Sequence, residues 1–216
     1  EPIAYYINSL VKLYLKGKSV PDSIPALGLR RIIEIVQTHI EMCDFTIPPT
    51  PLNGARAILL NDPSVFSESN IFEGINEILQ SEYSGEVFYW STIMSAISFV
   101  CSCITLIGTG FDPTEFIEPI IDHLPVKGDF TVAEPIYSAL VTIITPETGE
   151  IYTHFARVIA LTLGYHDKVF VSMSLKEDTY AKMKAVVMAV PNTEAFLGEV
   201  FSEDQISLQR CVSRLQ

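Results

Sequence analysis

Residues 87–110 read VFYWSTIMSAISFVCSCITLIGTG, a run without a single charge in a chain whose formal net charge is −12. The run is long enough to cross a bilayer, so its reading decides the fold. A membrane helix is usually flanked by Lys or Arg on its cytoplasmic side, and here no basic residue occurs between Arg56 and Lys127. The flanks are acidic: Glu82, Glu86, Asp112 and Glu115. Ser91, Thr92, Ser95, Ser98, Ser102 and Thr105 interrupt the run and suit a helix that touches other helices better than one that touches lipid. The expectation is a helix buried on nearly all sides by neighbouring helices.

Working outward, the downstream start signal is clear. Asp112-Pro113-Thr114-Glu115 supplies an N-cap acid, a proline at the first helical position and a glutamate at the third. The helix it opens, over residues 113–124, contains Pro119, where a kink is expected. Thr131 and Glu134 suggest a second capping box before the apolar stripe Ile136, Leu140, Val141, Ile143 and Ile144, which Pro146 stops. Further helices are predicted over 151–163, ended by Gly164, over 176–190, ended by Pro191, and over 193–201 and 203–215.

Upstream, Ile71, Phe72, Ile75, Ile78 and Leu79 mark a helical face with Asn70 as its cap. Helical periods also run over 3–15 and 24–42, and a shorter one over 52–60 follows a connector at 44–56 that holds Pro48, Pro49 and Pro51. Presumed first helices begin near 70, 113 and 150, and second helices near 87, 131 and 175, so helix pairs recur at about 40 residues. That period predicts an all-α chain, an α-solenoid of HEAT-like antiparallel helix pairs forming one segment over residues 1–216, about five pairs in all. The opening at Glu1, without an initiating Met, reads as a start inside a longer chain.

With 48% hydrophobic residues the chain can bury a sizeable core, and its acidity disfavours nucleic acid and anionic membrane surfaces as partners. Cys43, Cys101, Cys103 and Cys211 fit reduced, buried thiols. No hydrolase elbow, phosphate loop, His-Glu-x-x-His or calcium loop occurs, so no catalytic, metal or cofactor residues are assigned. Glu150 and His154 are spaced to share a metal, though such a pair is more often a surface contact. What exceeds a bland reading is the base-free span. Asp62, Glu68, Glu73, Glu77, Glu82, Glu86, Asp112, Glu115, Glu118 and Asp122 all fall within it, a field that would draw in a basic partner.

The span from Trp90 through Pro146, with its uncharged helix, His123-Leu124-Pro125, the loop Asp129 and the helix through Tyr137-Ser138-Ala139-Leu140, resembles the C-terminal HEAT repeats of the importin-β (karyopherin-β) superfamily. The likeness is to the large importins that carry ribosomal proteins and histones, and Phe201-Ser202-Glu203-Asp204-Gln205-Ile206 is similar to the opening of their closing helix. The resemblance implies the C-terminal part of a non-enzymatic nuclear import receptor, shared between cytoplasm and nucleus. It implies basic cargo proteins as partners, with Ran-GTP and Phe-Gly nucleoporins bound through the full-length receptor. By helix position, Glu34, Glu86, Asp129 and Glu134 are the candidate cargo contacts. The competing expectation is a generic α-solenoid scaffold or adaptor outside nuclear transport.

Overall fold

The computed structural model describes Arg56 and residues 71–80, 89–107, 111–126, 130–165 and 174–216. Among these residues all regular structure is helical and no strand occurs, as the sequence predicts. The helices expected over 3–15 and 24–42, the connector at 44–56 apart from the helical Arg56, and the Asn70 cap lie outside the described residues. The chain divides into two compact units, Glu1–Pro119 and Ile120–Gln216.

In the first unit, α1 (Ile71–Gln80) packs on α2 (Trp90–Ile107), and α3 begins (Thr114–Asp122). α2 is the uncharged stretch. Every residue from Thr92 to Cys103 is buried, so this helix is apolar on all sides because it is covered on all sides. By length and composition alone it is the one described helix able to cross a bilayer, and the share of it buried inside the protein is what a core helix has. Phe72 on α1 sets the register of this core. Its ring centroid lies 6.0 Å from Phe99, 4.8 Å from Phe111 and 6.0 Å from Phe116, in tilted contacts that add to the area they bury.

The start of α3 forms as the residue types dictate. Asp112 Oδ1 accepts from the Thr114 backbone N–H at 3.0 Å and from the Thr114 hydroxyl, satisfying donors that the first helical turn leaves orphaned. The helix runs through Pro119 and ends at Asp122.

The second unit is built around α5 (Glu150–Tyr165), against which α6 (Glu177–Met188), α7 (Thr193–Val200) and α8 (Gln205–Leu215) all pack, while α4 (Ala133–Ile143) packs on α6. Short 3-10 turns at Phe130–Val132 and Pro146–Thr148 lead into α4 and α5. The core comprises Ile136, Tyr137, Leu140, Phe155, Ile159, Leu163, Met183 and Val187, all fully buried. Each such side chain contributes about 1.5–3 kcal/mol of burial.

Two local expectations are corrected. Gly164 does not stop its helix: α5 continues to Tyr165, because Gly164 is a contact and not a terminator. A Cβ there would sit 2.5 Å from the Phe201 ring and 3.1 Å from the Ser207 carbonyl, so the missing side chain is what lets the segment joining α7 to α8 lie against α5. The capping box at Thr131 and Glu134 does not close either. α4 begins at Ala133 with Val132 in the cap position and no side-chain cap bond, and the Glu134 carboxylate is used elsewhere.

Candidate protein-binding surfaces

α3 turns its two faces to different tasks. Phe116, Ile120 and Ile121 are buried, whereas Glu115, Glu118 and Asp122, spaced three and four residues apart, lie exposed on one stripe. No Lys or Arg stands on this helix. Like charges at this spacing cost roughly 0.2–0.5 kcal/mol per pair, and Asp122 in the last turn faces the negative end of the helix dipole. The helix therefore carries its acids at a local cost. Asp112, just before it, is spent on the cap, and the Thr114 hydroxyl and N–H hold its carboxyl below the usual aspartate range. Glu77 on α1 is also exposed.

The His154 imidazole faces Asp122, with Nε2 3.8 Å from Oδ1 and both side chains solvent-accessible. His154 is thus directed to α3, not reserved for Glu150 as a metal pair. Among the described residues no group of three or more potential metal ligands gathers.

Of the predicted cargo contacts, Glu34, Glu86 and Asp129 lie outside the described residues. Glu134 is described, and it works inside the fold. Its Oε2 accepts from the Lys176 backbone N–H at 2.8 Å and its Oε1 from the Thr179 hydroxyl at 2.9 Å. Lys176 occupies the cap position of α6 and has no side-chain oxygen to offer, so a carboxylate from α4 supplies the cap across the helix pair. The Lys176 ammonium adds a 3.8 Å ion pair. Glu134 joins two helices and is only partly available to a partner.

The reactive groups of the second unit and of α2 are likewise committed. Cys101, Cys103 and Cys211 are free and buried. Burial pushes the Cys101 thiol far up, with the neighbouring Cys103 adding to the shift, raises Cys103 to about 12, and raises Cys211 to about 11 against a smaller opposing pull from Arg214. These thiols carry no thiolate near neutral pH and are poor nucleophiles. Tyr137, pushed up to about 12 by burial, donates to Thr162 Oγ1 at 2.9 Å, since that hydroxyl already donates to the Val158 carbonyl. The same phenol accepts from the Val126 N–H at 3.4 Å, holding the loop after α3 against α4.

In the second unit an open groove of about 460 Å³ lies among α6, α7 and α8, lined mainly by Met188, Leu197, Leu208, Val212 and Leu215, with Glu194 also in its wall. Met188 is 56% and Val212 38% exposed. The helical period of the sequence does not mark this groove. The sequence around it is a second base-free span, residues 185–209, of whose acids Glu194 lines the groove and Asp204 caps α8.

Comparison of the chain with protein-family models, with curated proteins and with solved structures finds no match.

Proposed function

We propose that the chain is a non-catalytic helical-repeat binding module, its helix pairs stacked as an α-solenoid, that takes a basic protein partner on exposed carboxylates. The observation that carries this reading is the pair Glu115 and Glu118 exposed on α3, within a span free of Lys and Arg from residue 57 to 126. Such a surface steers a cationic partner and accelerates its encounter. The specific form of the proposal is the C-terminal part of a nuclear import receptor working in cytoplasm and nucleus. It rests on the resemblance of residues 90–146 and of the closing helix to importin-β repeats. Basic cargo would be the direct partner, and Ran-GTP and Phe-Gly nucleoporins would act through the full receptor. Glu134 counts for the second reading, a solenoid adaptor outside transport, because its carboxylate is consumed between α4 and α6.

The test is binding of a Lys/Arg-rich peptide at low and high salt, between about 50 and 300 mM, where the screening length shrinks. The proposal expects affinity that falls with salt and falls again in the E115Q/E118Q double variant. Salt-independent binding, or none, removes the charge-led reading. Retention on immobilised Phe-Gly repeats then favours the import receptor over the adaptor.

A further inference from the structure

The groove among α6, α7 and α8 differs from the α3 stripe in what it offers. Its floor is apolar: Met188, Leu197, Leu208, Val212 and Leu215, two of them substantially exposed. An open apolar cleft of this size lies within the range of ligand sites. Methionine and leucine at such a place adapt to a partner's side chains.

Three candidate occupants are separated by charge and by backbone chemistry. The segment 185–209, which builds most of the wall, contains Glu194, Glu199, Glu203 and Asp204 and no Lys or Arg. No Lys or Arg lines the groove, and the nearest bases are directed to other groups. Lys182 Nζ pairs with Asp178 at 2.7 Å, Lys184 lies over the Tyr180 ring, and Arg210 and Arg214 donate to carbonyls at the end of α5. A second copy of the chain would bring Glu194 toward an equally acidic groove, with each copy at −12. An extended strand would need a sheet edge to pair with, and none exists among the described residues. A helix satisfies its own backbone and needs only apolar anchors, which is what the floor provides.

We propose that this groove docks an amphipathic, Lys/Arg-flanked helix of a partner protein, its apolar stripe on Met188, Leu197, Leu208, Val212 and Leu215 and its basic flank beside Glu194. The proposal extends the basic-partner reading above by adding a contact led by apolar burial, and it stands on different residues.

The probe is a synthetic helical peptide with leucines at i, i+3, i+4 and i+7 and lysines elsewhere, titrated against the whole chain alongside two controls. One control has the same residues with the helical period scrambled; the other contains only Lys and Arg. The periodic peptide is expected to bind, the scrambled one to bind about tenfold more weakly or less, and M188E and V212E to weaken the periodic peptide about tenfold. E194K, at an exposed position, is expected to weaken it while leaving the circular dichroism unchanged, and E115Q/E118Q to leave it intact. Equal binding of the periodic and scrambled peptides, or equal binding to wild type and V212E, overturns the groove. So does a wild-type dimer in sedimentation that V212E dissolves, which would make a second copy the occupant. If the Lys/Arg-only peptide fails to bind while the periodic one binds, the α3 reading falls and the groove stands; the reverse result removes the groove alone.

Discussion

α2 and α5 are both the central helix of their unit, and they are held by different means. α2 is buried along its whole middle, from Thr92 to Cys103. Its Ser102 hydroxyl donates back to the Ser98 carbonyl at 2.8 Å and Thr105 to the Cys101 carbonyl at 3.0 Å, bonds that satisfy the side chain without naming a neighbour. Arg56, donating to Ser102 Oγ at 2.8 Å, reaches it from elsewhere through a polar group. α5 is tied directionally to α4, α6 and α8. Thr162 meets Tyr137 of α4, Tyr152 donates to the Val186 carbonyl of α6 at 2.9 Å, and Arg210 and Arg214 of α8 donate to the carbonyls of Leu163, Gly164 and Tyr165. Those carbonyls are the orphans of a helix C-terminus, and two guanidinium groups there also answer the dipole. Apolar burial holds both helices in place, and at α5 hydrogen bonds to α4, α6 and α8 also specify which partner lies where.

The contrast breaks most readily at α5. Gly164→Val drives two methyl groups into the Phe201 ring and the Ser207 carbonyl, and an overpacked interior of this kind loses about 3 kcal/mol. The expected outcome is a lower denaturant midpoint followed by far-ultraviolet circular dichroism, with the m-value unchanged. A midpoint equal to wild type would mean that the close approach of Phe201 is not a constraint. Glu134→Ala comes next. It removes two hydrogen bonds to a carboxylate and leaves the first turn of α6 without its borrowed cap, for a loss of about 2 kcal/mol. Hydrogen exchange sharpens the point, because the Lys176 amide is expected to lose more protection than those in the middle of α6. Uniform loss along the helix would show that Glu134 acts on the core and not on the cap.

What the sequence made legible follows from the range of the forces involved. The existence and order of the helices from residue 71 onward were readable, because hydrophobic period and stop signals are local. So was the start of α3, where Asp112 and Thr114 lie two residues apart. Gly164 was misread because a helix-ending glycine and a packing glycine look alike until Phe201, far along the chain, is placed against it. Glu134 followed Thr131 at the capping-box interval, yet its partners are Lys176 and Thr179, separated from it by 42 and 45 residues. The α3 stripe stood out as a charge pattern. The groove did not, since apolar residues on three short helices signal a site only once those helices meet.

The smallest expected effects test the comparison most finely, as a matched pair of hydroxyl removals. Tyr137→Phe deletes the phenol that joins α4, α5 and the loop at Val126. Thr162 keeps its bond to the Val158 carbonyl, so the loss is limited to one strong bond and one long one, about 1 kcal/mol. Ser98→Ala in α2 deletes a hydroxyl that is fully buried and has no hydrogen-bond partner for its oxygen. Removing an unsatisfied polar atom relieves its desolvation, and alanine is the better helix former, so stability is expected to hold or rise by up to about 1 kcal/mol. Trp90, the only tryptophan, stands at the start of α2 and reports the change by fluorescence during unfolding. If Ser98→Ala destabilises as much as Tyr137→Phe, the serine hydroxyl is making a bond that matters. In that case α2, like α5, is positioned by polar contacts and the distinction between the two helices fails.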